Sequence, residues 1–228
     1  MSTGSASQPS RTAGGPHTTA QHALEGLRRA IVAGDLRPGA RVGQDEFAQQ
    51  LGISIAPVRE ALRILEQEGQ VTYLPRRGYF VTSLKISDLE EIYGLRTVLE
   101  SRAARRALTN LDPAGLERVR LAAADFADAV ESADVLAELE ANRRFHLAIL
   151  DASDQPHTLR LIRLLWDSTE AYRALYYNLT EERTAAVSAH DRILDALRTR
   201  DPERLVRELD EHRERALTVL RGVLLPDG

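Results

Sequence analysis

After residue 86 proline occurs at four positions only, and three of these, Pro113, Pro156 and Pro202, directly follow Asp112, Gln155 and Asp201. Proline breaks a helix interior but suits the first helical position, where its missing N–H is not needed. The three dipeptides therefore read as helix starts, two of them behind an acidic cap. Ser87-Asp88-Leu89-Glu90 has the capping-box pattern of a further start, and Ser132 and Thr180 can cap two more. Between these marks β-branched runs are scarce, and Ala, Leu, Arg and Glu dominate. The boundaries predict helices near 87–108, 113–131, 133–152, 156–178, 180–199 and 201–221. Connections this short force neighbours to run antiparallel, so this part of the chain is expected to be an all-α six-helix bundle.

The stretch before residue 86 is built differently. Residues 1–18 are rich in Ser, Thr, Gly and Pro, and read as a disordered tail. A helix follows from Thr18 or Thr19 to Ala33, with Leu24, Leu27, Ile31 and Val32 on its apolar stripe; a second, short helix spans about Gln44 to Leu51. Gly52 suits a tight turn. Ser54 can cap a third helix, in which Ile55, Val58, Leu62 and Leu65 recur at helical spacing. Gly69 stops that helix, and Val71–Thr82 reads as a β-hairpin with its tip at Pro75–Gly78. Arg59 and Arg63, one turn apart, project away from the apolar face. Residues 19–83 carry eight arginines against seven acids, whereas residues from 86 onward carry twenty against twenty-seven. Positive charge clustered on two elements of a small domain fits a DNA reader better than the overall net charge of −4 would indicate.

Turn, capped helix and arginine-bearing hairpin together resemble the winged helix-turn-helix of the GntR family of transcription regulators. That family's recognition helix reads close to S-R-T-P-V-R-E-A-L; here Ser54 to Leu62 read S-I-A-P-V-R-E-A-L. Its wing often ends R/N-R-G-x-F-V, matched by Arg76-Arg77-Gly78-Tyr79-Phe80-Val81. The resemblance implies that Ser54, Ala56, Arg59 and Arg63 face the major groove, and that Arg76, Arg77 and Gly78 reach the adjacent backbone or minor groove. Two positions depart: Ile55 stands where relatives usually carry an arginine, and Asp45 where some carry another basic contact. Sequence preference is therefore not transferable. One domain of this size makes too few contacts for tight specific binding, so a homodimer on a palindromic double-stranded operator is expected.

In the bundle, three of the six histidines lie mid-helix. His190 and His212 are equidistant from the Asp201-Pro202 turn and so stand at one height in an antiparallel pair. His146 lies about thirteen residues into its helix and His190 about ten into a parallel one; at about 1.5 Å per residue their heights agree within roughly 5 Å. Asn142, one turn before His146, offers an oxygen to the same level. Three imidazoles and an oxygen suit a divalent ion, Zn²⁺ first, with Ni²⁺, Co²⁺ or Mn²⁺ as alternatives. Taken singly, each histidine reads more simply as a core or surface residue. The pattern resembles the FCD effector domain of FadR-type GntR regulators, in which Asp or Asn, a His four residues on and two later His hold a metal; the matching positions are Asn142, His146, His190 and His212. In that family the metal lies below a pocket for small carboxylates or sugar acids. The resemblance makes Arg96, within Leu95-Arg96-Thr97-Val98-Leu99-Glu100, an anchor for such an effector, and Arg173 in AYRALYY a second.

The absence of cysteine excludes disulfides and thiolate metal sites, and no run approaches the length of a membrane span. No apolar signal segment opens the chain. These features point to a cytoplasmic protein without membrane contact. The expected organisation is a tail over 1–18, a winged helix-turn-helix over 19–83, a linker over 84–86, a metal- and effector-binding helical domain over 87–221 and a tail over 222–228. The expected activity is ligand-responsive repression, not enzyme chemistry. The competing reading is a metal-dependent hydrolase or lyase using the three histidines, against which no Asp or Glu stands out beside them as a general base.

Overall fold

The computed structural model describes residues 18–177 and 179–224. Helices α1 (Thr19–Val32), α2 (Gln44–Leu51) and α3 (Ile55–Gln67) precede an antiparallel hairpin of β1 (Val71–Leu74) and β2 (Gly78–Val81). Seven further helices follow among the described residues: α4 (Ile86–Asn110), α5 (Pro113–Ser132), α6 (Val135–Asp151), α7 (Pro156–Ser168), α8 (Glu170–Tyr177), α9 (Thr180–Thr199) and α10 (Pro202–Leu224). None of the described helices is long and apolar enough to cross a membrane. Of the expected tails, residues 1–17 and 225–228 lie outside the described residues, whereas 222–224, expected in the C-terminal tail, continue α10.

The N-terminal part closes on one core. Leu27, Val58, Ala61, Leu62 and Leu65 are fully buried there, with Val71 and Val81 of the hairpin beneath them. Thr18 caps α1 reciprocally with Gln21, its Oγ1 accepting from the Gln21 N–H and its own N–H donating to Gln21 Oε1. Gly52 takes φ 65° and Gly69 φ 75°, so each ends a helix in a conformation that glycine adopts without steric cost. In the hairpin Val71 faces Val81 and Leu74 faces Gly78. Residues 39–42 pair with β2 as a short second ladder that the periodicity did not show: Val42 N–H donates to the Tyr79 carbonyl, and Val81 N–H to the Ala40 carbonyl.

In the helical part α5 packs on α6 and α9, and α10 packs on α4 and α9. Phe145, Ile149, Ile162, Ile193 and Leu205 are fully buried in one cluster. Three starts differ from expectation in their caps. Helix α4 begins at Ile86, with Asp88 Oδ2 accepting from the Lys85 N–H at 2.8 Å. Asp134, not Ser132, caps α6, and Leu179 precedes α9 in place of a Thr180 cap. One expected helix, 156–178, is broken in two, so the described residues of the bundle form seven helical segments and not six. At the break Ser168 and Thr169 hydroxyls donate to the Leu165 carbonyl, and Thr169 also to Trp166, taking acceptors that a continuing helix needs.

Candidate metal centre and nucleic-acid interface

Helices α6, α9 and α10 bring His146, His190 and His212 together. Their ring centroids are 5.2–5.4 Å apart, and their donor atoms lie within 4.8 Å of one another. All three are buried. Phe145 stacks on His190 at 4.0 Å and Phe126 lies 4.6 Å away, which fixes that ring; its Nε2 is 3.1 Å from Asn142 Oδ1. The Nδ1 atoms of all three histidines are buried without a hydrogen-bond partner. Burial pushes His146 and His190 well below the usual histidine range, and His212 down to about 4, with Arg213 and Arg96 adding to the effect on His212. The cluster is thus neutral at pH 7, the state in which imidazole binds a cation. Buried neutral nitrogens that lack partners, beside a carboxamide oxygen, fit a divalent ion after small ring shifts.

Above the histidines lies a cavity of about 420 Å³ between atom surfaces, lined by Tyr93, Arg96, Trp166, Arg173 and Arg213 among others. Only about 30 Å³ of it can take the centre of a water molecule, enough for roughly two or three waters. A larger guest requires its walls to move. The two arginines singled out from the sequence differ sharply here. Arg96 is committed: its Nε donates to Glu100 Oε1 at 2.8 Å. Glu100, 1% exposed, also accepts from Trp166 Nε1 at 2.8 Å and Arg213 Nη1 at 3.3 Å. Burial alone would raise the Glu100 carboxyl, but Arg96 and Arg213 hold it below the ordinary carboxylate range. Arg173 has no such partner. It is 5% exposed, its Nε and Nη1 make no hydrogen bond, and its guanidinium carbon sits 4.4 Å over the Trp166 ring. Burial pushes its pKa down. Tyr93 Oη is likewise buried without a partner.

Glu100, Arg213 and Trp166 were not singled out from the sequence. The i,i+4 spacing of Arg96 and Glu100 was a visible signal, since such pairs meet on one helix face. Nothing local marked Trp166 or Arg213.

In the N-terminal part Ser54, just before α3, and Ala56, Arg59 and Arg63 on α3 lie exposed, as do Arg76 and Arg77 on the hairpin tip. Arg59 Nε donates to Gln44 Oε1 of α2 at 3.2 Å. Ser54 precedes α3 in extended conformation, but its hydroxyl makes no cap bond, contrary to the expectation of a side-chain cap. Arg76 adopts φ 63° and Gly78 φ 93°, which turns the tip outward; the Arg77 carbonyl accepts from Arg41 Nε at 3.1 Å. A groove between helix and hairpin is lined by Gln44, Arg59, Arg63, Tyr73 and Tyr79, adding two polar aromatics that the sequence reading passed over. Ile55, partly buried, packs against the N-terminal core.

Comparison with known proteins bears on both ends. The family of bacterial regulatory proteins, gntR family, matches residues 19–81, and the FCD domain matches residues 91–215. The probable D-xylose utilization operon transcriptional repressor of Paenarthrobacter nicotinovorans is 31% identical over 86% of this chain and 85% of its own length. The gluconate operon transcriptional repressor of Bacillus subtilis is 26% identical over 82% of this chain and 78% of its own. The solved structure of Escherichia coli McbR/YncC superposes with a TM-score of 0.78 at 28% identity, covering 90% of this chain and 98% of that one. These proteins are regulators, which sets the hydrolase or lyase alternative aside. The chain belongs to the GntR family of DNA-binding transcription regulators, with an FCD effector domain behind its winged helix-turn-helix.

Proposed function

We propose that the protein is a homodimeric repressor whose helical domain, residues 87–221, binds a divalent metal and a small carboxylate or sugar acid, and thereby controls operator binding by residues 19–83. The observation that carries this reading is Arg173: a buried guanidinium without a hydrogen-bonded anion, facing the same cavity as His146 and His212, two of the three neutral histidines. Leaving such a donor unpaired is costly, and a bidentate carboxylate satisfies it. Asn142, His146, His190 and His212 would hold the ion. When bound, the ion supplies positions at which a carboxylate or hydroxyl oxygen of the effector can replace water. Arg173 takes the outer carboxylate, while Glu100 holds Arg96 and Arg213 in place as the cationic wall. Repressors of sugar and sugar-acid operons among the relatives support this effector class and the sign of regulation. On the DNA side Arg59 and Arg63 would read base edges, Ser54 and the amides of α3 would bind phosphate, and Arg76, Arg77 and Gly78 would follow the backbone.

The test is direct. Chelator-stripped protein is titrated with Zn²⁺, Ni²⁺, Co²⁺ and Mn²⁺, with metal content assayed and Trp166 emission followed. Trp166 is the one tryptophan, and its ring lies 5.2 Å from His146, so a paramagnetic ion in the site quenches it. Binding sequences are then selected from a random duplex pool, and anisotropy is read with and without metal. Stoichiometric metal that is lost in His190→Ala, together with a palindromic site whose affinity responds to chelator, is the expected result. Equal metal content in wild type and His190→Ala would overturn the metal site.

A further inference from the structure

Within a single turn, helix α8 touches both halves of the molecule. Glu170 Oε2 accepts from Gln70 Nε2 of the winged domain at 3.2 Å. Gln70 is 5% exposed and also donates to Glu68, which is paired with Arg28 of α1 at 2.6 Å. Ala171 packs against the core of the winged domain. Ser168, just before α8, stands so close to Gly69 that a Cβ there would lie 3.3 Å from it. Tyr172 Oη accepts the N–H of Leu84 in the linker. The next residue, Arg173, points instead into the cavity above the histidines.

We propose that α8 is the element through which the effector cavity acts on the DNA-binding domain: Arg173 senses the anion, and Glu170, Ala171 and Tyr172 carry its displacement to Gln70 and Leu84. This rests on the reading of the cavity as an effector site. The break at Thr169 frees α8 from the rigid-body motion of α7, so a pull on Arg173 turns a short segment and not a long helix. The polar contacts on the far side are few, one from Glu170 to Gln70 and two from the Tyr172 hydroxyl to the Leu84 backbone, and a small rotation of α8 can break them. A charged cleft of about 790 Å³ between the two parts, bordered by Arg28, Glu68, Arg143, Asp167 and Glu170, leaves room for that rotation. An anion that pairs with Arg173 in only one position of α8 has the differential affinity that any allosteric ligand needs.

The experiment is hydrogen exchange by mass spectrometry on the full-length protein, comparing wild type with Arg173→Met, Tyr172→Phe, Gln70→Ala and the exposed control Arg207→Met. Arg173→Met is expected to speed exchange around residues 69–71 and 83–85 about fivefold, the change that loss of one hydrogen bond produces. Tyr172→Phe and Gln70→Ala should affect the same segments, and Arg207→Met neither. The coupling is reciprocal, so Tyr172→Phe, a mild change, should also raise acrylamide quenching of Trp166 inside the cavity; this arm holds even if Arg173→Met fails to fold. Silence in both directions overturns the link. Citrate binding, measured by calorimetry on the same samples, judges the cavity separately. Unchanged exchange in a protein that binds citrate removes the link and leaves the cavity reading standing. Faster exchange in a protein that binds none supports the link and removes the cavity reading.

Discussion

Glu100→Gln tests whether the cavity wall is held by charge balance. Glu100 is the buried anion between two buried cations, Arg96 and Arg213, each 5% exposed. Removing one partner of a buried ion pair costs about 3–5 kcal/mol, because the other charge is left uncompensated. Two features place this case at the lower end. A glutamine oxygen can still accept from Arg96 Nε and Trp166 Nε1, both at 2.8 Å on the same Oε1. Arg213 also keeps Asp210, 2.7 Å from its Nη2, and the Leu209 carbonyl at 3.3 Å. What is lost is the charge, and the amide NH₂ now meets the Arg213 Nη1 donor where Oε2 accepted at 3.3 Å. The expected loss is therefore about 3 kcal/mol, which at a urea slope of about 2 kcal/mol/M lowers the midpoint by roughly 1.5 M. Trp166 emission reports the transition, since its indole is bonded to the altered group. The variant also leaves Arg96, Arg173 and Arg213 around the cavity without that carboxylate, so phosphate should restore part of the loss relative to chloride at equal ionic strength. The pH dependence gives a further check. A carboxyl held low by its partners contributes stability above its unfolded pKa and loses it as pH falls through the folded value, so the two proteins should converge in acid as pH falls through that lowered value. A loss under about 1 kcal/mol at pH 7, or one that persists unchanged in acid, would refute the reasoning.

Other perturbations follow from the same geometry. In metal-free protein the depressed histidines contribute stability that is present above about pH 6.5 and lost as pH falls through their folded values, about 4 for His212; urea midpoints at pH 7.5 and 5 should differ, and a flat profile counts against burial of neutral imidazoles. Glu138, fully buried, is raised by burial to about 7 against the opposing pull of Arg183. A raised carboxyl favours the folded state below its unfolded pKa and loses that advantage as pH climbs through about 7. Glu138→Gln should accordingly be more stable than wild type at pH 8 and not at pH 4.5, as read by thermal unfolding. Arg59→Ala is expected to abolish specific operator binding, whereas Arg76→Ala should weaken all duplexes alike and lower the salt slope by about one. Unchanged operator affinity in Arg59→Ala would sink the assigned recognition helix.

Much of the architecture was legible in the chain itself, because it rests on local chemistry. Pro113, Pro156 and Pro202 open helices whatever they pack against, Gly52 and Gly69 end them, and Val58, Leu62 and Leu65 repeat at the spacing that buries one helix face. The break after Ser168 is also local: adjacent Ser and Thr hydroxyls competing for carbonyls could have been noticed. Even the meeting of three histidines followed from counting residues on either side of a turn. Pairing was another matter. Arg96 ranked ahead of Arg173 as an anchor for the same anion, and only the folded chain gave the first the carboxylate of Glu100 and left Nε and Nη1 of the second without a partner. That outcome depends on Trp166 and Arg213, 66 and 113 residues from Glu100, which arrive through helix packing and leave no periodic trace. The hold of α8 on Gln70 and Leu84 spans 100 and 88 residues in the same way. Local sequence determines helices and their ends because capping, proline and apolar spacing act within a turn or two. Which buried charge stays unpaired is set by a sum over distant neighbours, and only the tertiary structure brings those neighbours together.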